Sequence, residues 1–462
     1  MLFFRQYYLG CLSHASYLVG DRTTGRAVVV DPQRDVAQYL RDAEIEGLDI
    51  EWVIESHFHA DFVSGHLELA ASTGATIAYG PGAKAEYPIE NLEHGRRISL
   101  GEVDLEVRHT PGHTPESISV IVREHAGDDA PYGVLTGDTL FIGDVGRPDL
   151  LSSIGVTADE LGRSLYHSLH EQLLTLPDAT RVFPAHGAGS ACGKNLSTET
   201  ESTIGEQRRT NYALADMSED EFVARVTADQ PAAPPYFGFD ASLNRQERSA
   251  LDESTVPPEF ELSAVDAAVE DGAVVVDSRD HTEFARGHLR GSLNVGLGGR
   301  FAEYCGDVVP PDVPILLVSD VGTELEARVR LARIGFDKVI GHIARWPEVF
   351  AAHPDRVAQA SRVSATELAA RAPDTLQVID IRNPGERAAG VIAGAVAIPL
   401  AQLGARSGEL DPDRPTVVYC AGGYRSSIAA SLLRSRDFAD VSDLLGGYEA
   451  WVDAGGRVVE PA

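Results

Sequence analysis

The chain has 462 residues, 43% of them apolar, and a formal net charge of −31 at pH 7. That length exceeds what one hydrophobic core supports, so two to four domains are expected, and the acid excess excludes a surface for nucleic acid or anionic lipid. No apolar run approaches the ~18 residues of a membrane span, which excludes a membrane partner.

The start, Met1-Leu2-Phe3-Phe4-Arg5, lacks a basic stretch ahead of an apolar one and reads as a first strand rather than a secretory signal, so a cytoplasmic location is expected. Short β-branched runs then alternate with helical stretches. Ala27 to Asp31, Ile50 to Ile54, Thr76 to Tyr79, Val103 to Val107 and Ser119 to Val122 read as strands, and Val36 to Glu46 as a helix. This layered α/β pattern extends over residues 1–245. Asp229-Gln230-Pro231-Ala232-Ala233-Pro234-Pro235 interrupts any helix, and Pro257-Pro258 marks the next boundary.

From there the chain repeats itself. Val274-Val275-Val276-Asp277-Ser278-Arg279 is echoed by Gln377-Val378-Ile379-Asp380-Ile381-Arg382, each followed by an acidic helix start (Glu283, Glu386) and a Gly-rich return. Ile315 to Asp320 aligns with Pro415 to Cys420. A repeat near 100 residues means two copies of a small α/β domain, over 259–355 and 362–462.

Chemistry-bearing residues follow strand ends, where α/β folds place their sites. Ser56-His57-Phe58-His59-Ala60-Asp61-Phe62 gathers two imidazoles and a carboxylate behind the strand ending at Ile54, a ready metal-binding cluster. His113 lies in a Pro/Gly turn, Asp138 ends a strand, and His186 follows another. Four cysteines (Cys11, Cys192, Cys305, Cys420) without a CxxC argue against a disulfide framework or a structural zinc. Three of the 39 basic residues are Lys (Lys84, Lys194, Lys338) and the other 36 are Arg. Acid excess with scarce Lys fits a salt-rich cytoplasm, and full activity at low salt would count against that; a GC-rich genome also favours Arg.

The ligand pattern resembles the metallo-β-lactamase fold, with HxHxDH followed by single His, Asp and His ligands, over roughly the first half of the chain. This implies an αββα sandwich followed by two further α/β domains. Phe62 stands where dinuclear hydrolases place a His; a phenyl ring cannot coordinate, so a mononuclear site is expected. A closer resemblance is to persulfide dioxygenases, carried by Gly137-Asp138-Thr139-Leu140-Phe141-Ile142-Gly143-Asp144-Val145-Gly146-Arg147-Pro148-Asp149-Leu150. It implies one Fe(II) per chain on His57, His113 and Asp138, with positions left for O2 and a sulfur substrate. His59, Asp61 and His186 would then surround the ligands, with contact between His59 and the metal left open. The implied reaction oxidises a low-molecular-weight thiol persulfide with O2, giving sulfite and the thiol. Tyr17 and Arg147 are candidates for the substrate wall, against a core position for Tyr17 and a simple pairing of Arg147 with Asp149. Cys192, in a small-residue loop after His186, is a secondary candidate for persulfide handling, against a buried inert thiol.

Cys420-Ala421-Gly422-Gly423-Tyr424-Arg425-Ser426 follows the strand Thr416 to Tyr419 and opens a helix at Ser427. Small residues, Gly422 and Gly423 among them, let backbone N–H groups turn inward as an anion nest at a helix N-terminus. Such a nest favours the Cys420 thiolate, and Arg425 adds donors for an anionic sulfur species. The loop and residues 362–462 resemble the rhodanese family, which implies sulfur transfer through a Cys420 persulfide that makes or uses thiosulfate. In the middle copy Asp320 stands at the nucleophile's place and Glu324 lies in the loop, so 259–355 reads as an inactive rhodanese. Cys305 and Cys11 read as structural thiols. The whole implies a homo-oligomeric dioxygenase–sulfurtransferase of sulfide detoxification. The rivals are a glyoxalase-type thioester hydrolase joined to a sulfurtransferase, and a sulfur-carrier scaffold without turnover.

Overall fold

The computed structural model describes every residue except 151–154, 344, 372–374 and 462. Parts of the segments expected at 1–245, 259–355 and 362–462, including the last residue, therefore lie outside the described residues. The chain divides into two compact units: Met1–Gln230 with Phe237–Leu251, and Pro231–Tyr236 with Asp252–Ala462.

Among the described residues the first unit holds two six-stranded sheets. One runs in chain order through β1 (Leu2–Leu9), β2 (His14–Asp21), β3 (Arg26–Val30), β4 (Asp49–Ile54), β5 (Thr76–Tyr79) and β6 (Glu90–Asn91). The other runs through β7 (Arg97–Ser99), β8 (Asp104–His109), β9 (Ile118–Arg123), β10 (Gly133–Gly137), β11 (Arg181–Pro184) and β12 (Ser202–Thr203). Strand periodicity explains the layering. Val28 and Val30 point into the core between the sheets, while Ala27 and Val29 face outward against Val36, Tyr39 and Ala43 beside and within helix α1 (Ala37–Glu46) and Leu69 of α2 (His66–Thr73). On the other sheet Val120 and Val122 face the same inner core. Ile121 faces outward with Leu165 of α3 (Ala158–His167), Ile204 of α4 (Ile204–Thr210) and Phe222 of α5 (Glu219–Thr227). The result is the expected αββα sandwich. Strands β3, β4 and β5 pair in parallel, as do β10 and β11, so their C-terminal ends open on one edge.

The second unit carries two parallel sheets. One is ordered Leu293–Asn294, Val274–Asp277, Ile315–Val318, Val339–His342; the other Ser361–Val363, Val441–Leu444, Thr416–Tyr419, Gln377–Asp380, Val396–Ala397. The repeat read in the sequence is thus a repeat of strands. It extends to a buried ion pair: Arg279 donates to Asp277 at 2.8 Å and stacks on Trp346 at 4.0 Å, while Arg382 donates to Asp380 at 2.7 Å and stacks on Tyr448 at 4.0 Å. Each guanidinium also donates to a Gly carbonyl on the return, Gly287 or Gly390, at 2.9 Å. The Asp-x-Arg echo therefore marks a fully desolvated pair in each copy, retained because either charge alone would be stranded.

The pairing register corrects one expectation. Asp277 pairs with Val318 and Asp380 with Tyr419, so the residue after each strand is Ser319 in one copy and Cys420 in the other. Gly322 (φ 89°) then coincides with Gly423 (φ 100°). Ser319, not Asp320, holds the nucleophile's place, and Glu324 holds that of Arg425.

Candidate metal centre and sulfur-transfer loop

In the first unit four strand ends deliver the expected residues to one place. The loop after β4 carries His57, His59 and Asp61; the β8–β9 connection carries His113; Asp138 follows β10 and His186 follows β11. All six are at most 5% exposed. Two glycines explain how backbone closes in: Gly137 turns at φ 51°, and a Cβ there would lie 2.7 Å from Ser56, while a Cβ on Gly112 would lie 2.5 Å from the Leu165 backbone.

His57, His113 and Asp138 form one group of converging donor atoms. Asp138 Oδ2 is 4.0 Å from His57 Nε2 and 3.5 Å from His113 Nε2. The other ring nitrogens are already occupied: His113 Nδ1 meets Arg147 O at 2.9 Å and His57 Nδ1 meets Ser56 Oγ at 3.0 Å. That fixes each ring with Nε2 inward. His57 Nε2 and both Asp138 oxygens are buried without a hydrogen-bond partner, a cost of about 1–3 kcal/mol each that a cation would remove. Burial first, then the neighbouring imidazoles of His59, His113 and His186, push the His57 pKa well below its usual value, keeping the ring neutral as a ligand must be. The donor set fits a metal.

His59 is separate. Its Nε2 lies 3.1 Å from Asp31 and 3.2 Å from Glu55, and these three form a group of their own. Burial opposes a charge on His59, but the two carboxylates outweigh it and raise its pKa. A third group joins Asp61, His186 and Cys192; His186 Nε2 lies 3.3 Å from Asp61 and 3.4 Å from Asp138. Burial, then Asp61 and Asp138, push the Cys192 thiol up, so it stays protonated. Phe62 is buried against the rings of His14 at 4.0 Å and His59 at 4.3 Å.

Tyr17 is not brought to the ligands. It is 1% exposed in the inter-sheet core, and its hydroxyl donates to Pro184 O at 2.6 Å. Arg147 pairs with Asp149 through two 2.7 Å bonds, and its N–H donates to Cys192 O at 3.0 Å, tying the His113 turn to the Cys192 loop. Sequence reasoning missed four supports. Asp31, itself at φ 51°, accepts from Ser56 N at 2.6 Å, a strained backbone of the kind that functional sites retain. Glu55 accepts from Ser64 Oγ at 2.5 Å. Asn244 donates to the carbonyls of His59 and Phe62 at 2.8 Å each, pinning the metal loop from the returning segment. His14 is fully buried with neither ring nitrogen hydrogen-bonded. His14 opens β2 between Ser13 and Ser16, and nothing in that mixed stretch set it apart from an ordinary strand-end residue.

In the second unit Cys420 is 1% exposed and accepts from Gly423 N at 3.1 Å, with Ser426 Oγ 3.7 Å away. The helix starts earlier than expected, at Tyr424 (Tyr424–Arg434), which puts Arg425 on its first turn. Arg425 pairs with Glu386 at 2.8 and 2.5 Å. Burial works against the charge on Arg425, but the hydrogen-bonded Glu386 carboxylate more than offsets it. Gly423 takes the left-handed conformation that turns its N–H onto the sulfur, and a side chain on Gly422 would meet nothing closer than Glu449 at 4.0 Å, so the loop mouth there is open.

Residues 9–186 match the metallo-beta-lactamase superfamily, and residues 261–344 and 364–454 each match the rhodanese-like domain. The mitochondrial persulfide dioxygenase ETHE1 of Bos taurus is 34% identical over 214 residues, covering 45% of this chain and 74% of the relative; that of Homo sapiens is 33% identical over the same shares. A crystal structure of a metallo-beta-lactamase from Staphylococcus aureus subsp. aureus COL superposes with a TM-score of 0.68 at 34% identity, covering 74% of this chain and 98% of that one. Among the described residues no helix is long and apolar enough to cross a membrane.

Proposed function

Since the chain belongs to the metallo-β-lactamase superfamily, in the family of the persulfide dioxygenases, and joins that module to two rhodanese-like domains, we propose that it oxidises a low-molecular-weight thiol persulfide and passes sulfur through Cys420 in sulfide detoxification. Persulfide, O2 and water give the thiol, sulfite and two protons. A Cys420 persulfide and sulfite give thiosulfate and the Cys420 thiolate, and the reverse direction would load Cys420 from thiosulfate.

The observation that carries the dioxygenase half is the three-donor face of His57, His113 and Asp138; Phe62, packed on His59 and His14, offers no donor where a dinuclear site would need one. One ferrous ion per chain on that face would supply the redox chemistry with O2 that zinc lacks. The chain's own residues do the rest. The Arg147 carbonyl and Ser56 hold the two imidazoles in orientation. Asp31 and Glu55 hold His59 beside His57, with the ring centroids 4.2 Å apart. At Cys420 the Gly423 N–H favours the thiolate that attacks a sulfane sulfur, and Arg425 receives the anionic end of the donor.

The group of Asp61, His186 and Cys192 is the observation that favours the alternative, a two-metal thioester hydrolase. Metal analysis with an oxygen electrode over a thiol panel separates them. About one iron per chain with persulfide-dependent O2 uptake and sulfite release is expected; two zincs per chain, thioester hydrolysis and no O2 uptake would overturn the dioxygenase reading. The cytoplasmic location and homo-oligomeric state belong to the same proposal and are read out by fractionation and by mass in solution.

A further inference from the structure

The helix that follows Cys420 is held by the other repeat. Tyr424, between Gly423 and Arg425, donates its hydroxyl to Gly296 O at 2.6 Å and meets the Tyr304 ring edge-on at 5.6 Å. Gly299 approaches so closely that a Cβ there would fall 2.6 Å from the Tyr424 ring. One turn on, Ser427 donates to Asn294 Oδ1 at 2.9 Å, and the Asn294 N–H donates to Ser431 Oγ at 2.9 Å. All of these partners lie between 294 and 304, ahead of or within the helix Phe301–Val308 of the repeat without a nucleophile. Arg425 itself pairs with Glu386 of its own repeat, at 2.8 and 2.5 Å.

A residue bonded at its hydroxyl and packed by both Gly299 and Tyr304 cannot rotate without moving its neighbour. Tyr424 and Arg425 share the first helical turn, so the backbone that aims the guanidinium is set by Gly296, Gly299 and Tyr304. The Gly423 N–H that supports the thiolate lies before that turn and does not depend on the clamp. Thiolate stabilisation is therefore held within one repeat, whereas anion capture is held from both: Glu386 grips the guanidinium from its own repeat, and the clamp on Tyr424 sets the turn that carries it.

We propose that Gly299 and Tyr304 are positioning residues for Arg425, so that the repeat lacking a nucleophile sets how strongly the Cys420 loop captures an anionic sulfur species. The inference rests on the reading of Cys420 and Arg425 as a sulfur-transfer loop, and its test keeps the two apart. Full-length protein is alkylated with iodoacetate, an anion, and with iodoacetamide, which is neutral, and the rates at Cys420 are resolved by peptide mass spectrometry. Arg425→Gln should lower the iodoacetate-to-iodoacetamide rate ratio about tenfold, the worth of a charge-assisted hydrogen bond; an unchanged ratio there would sink the sulfur-loop reading itself. Given that fall, Gly299→Val and Tyr304→Leu should lower the ratio severalfold toward the Arg425→Gln value, and should raise KM for thiosulfate in sulfur transfer to cyanide with kcat nearly constant. Tyr424→Phe, which loses only the bond to Gly296, should shift both readouts in the same direction by a smaller factor, and guards against misfolding of the larger changes. Ratios at the wild-type value in all three variants, or rates for both reagents falling in step with kcat, would mean that the clamp is packing alone and would overturn the proposal.

Discussion

The two repeats of the second unit have one backbone and opposite loops. In the second copy the left-handed Gly423 turns its N–H onto the Cys420 sulfur at 3.1 Å. In the first, the equivalent Gly322 turns its N–H onto Glu324 Oε2 at 2.9 Å, and Ser319, at the nucleophile's place, bonds Ser278 Oγ at 2.7 Å. The nest survives in both, but in the first copy a carboxylate from its own helix fills it. On the proposed reading, two side chains rather than loss of the fold would silence this copy: a hydroxyl is a weak nucleophile, and the nest's positive field is spent on Glu324.

The strongest way to break the comparison is Cys420→Ser. We expect sulfur transfer from thiosulfate to cyanide to fall at least about 10³-fold, as on removal of a covalent nucleophile, while persulfide-dependent O2 uptake stays within about twofold of wild type if the two chemistries are separable. Residual transfer near the wild-type rate would place a working nucleophile elsewhere. Next come the features the copies share. Asp277→Ala and Asp380→Ala each strand a buried guanidinium, Arg279 or Arg382, and each should destabilise its repeat by about 3–5 kcal/mol, seen as matching losses in denaturant midpoint. A loss confined to one copy would show that the pair is not a shared element of folding.

How far the sequence carried these distinctions depended on what each rested on. Strands were legible because Val28 to Val30 and Val120 to Val122 alternate between two apolar layers, and the ligand residues because they follow strand ends within short polar bursts. The one-residue register of the silent loop was not legible: Ile315-Leu316-Leu317-Val318 is apolar throughout, so nothing in it marks which position pairs with Asp277. Asn244 could not be found either, since it reaches the metal loop from 180 or more residues away and belongs to no motif. Asp31 and Glu55 each look like an ordinary strand-end carboxylate until His59 is placed between them. Tyr17 carried a polar tip that suited a cleft, but its hydroxyl finds Pro184 O inside the core.

The register correction yields a constructive test. Ser319→Cys alone should give a thiol that alkylates slowly, because Glu324 still occupies the nest; Ser319→Cys with Glu324→Arg should react about tenfold faster with iodoacetamide, in line with a pKa drop of about one unit at a helix N-terminus. Carrying Cys420→Ser in the background removes the competing nucleophile. Equal rates in the single and double variants would show that Glu324 is a bystander.

The smallest expected effect uses a position where the copies differ in charge rather than in chemistry. His288 and Val391 each open the short strand after the Gly return (His288–Leu289, Val391–Ile392). His288 is 3% exposed, stacked on Phe284 at 3.8 Å. Burial lowers its pKa to about 4; the Phe284 carbonyl works the other way, and Arg434, Arg279 and Arg290 each add a smaller lowering. A histidine whose folded pKa lies below its unfolded value of about 6.5 contributes its stability above that value and loses it as pH falls toward 4, because only the unfolded chain takes up the proton. The first repeat should therefore lose about 1–2 kcal/mol between pH 7.5 and pH 5, with His288→Val removing that slope. Local hydrogen exchange across Val274–Asp277 and Gln377–Asp380 at the two pH values reads the repeats separately: faster opening of the first strand at pH 5 in wild type, absent in His288→Val, is the expected result. Equal acid sensitivity in the two strands would mean that His288 is not what distinguishes them.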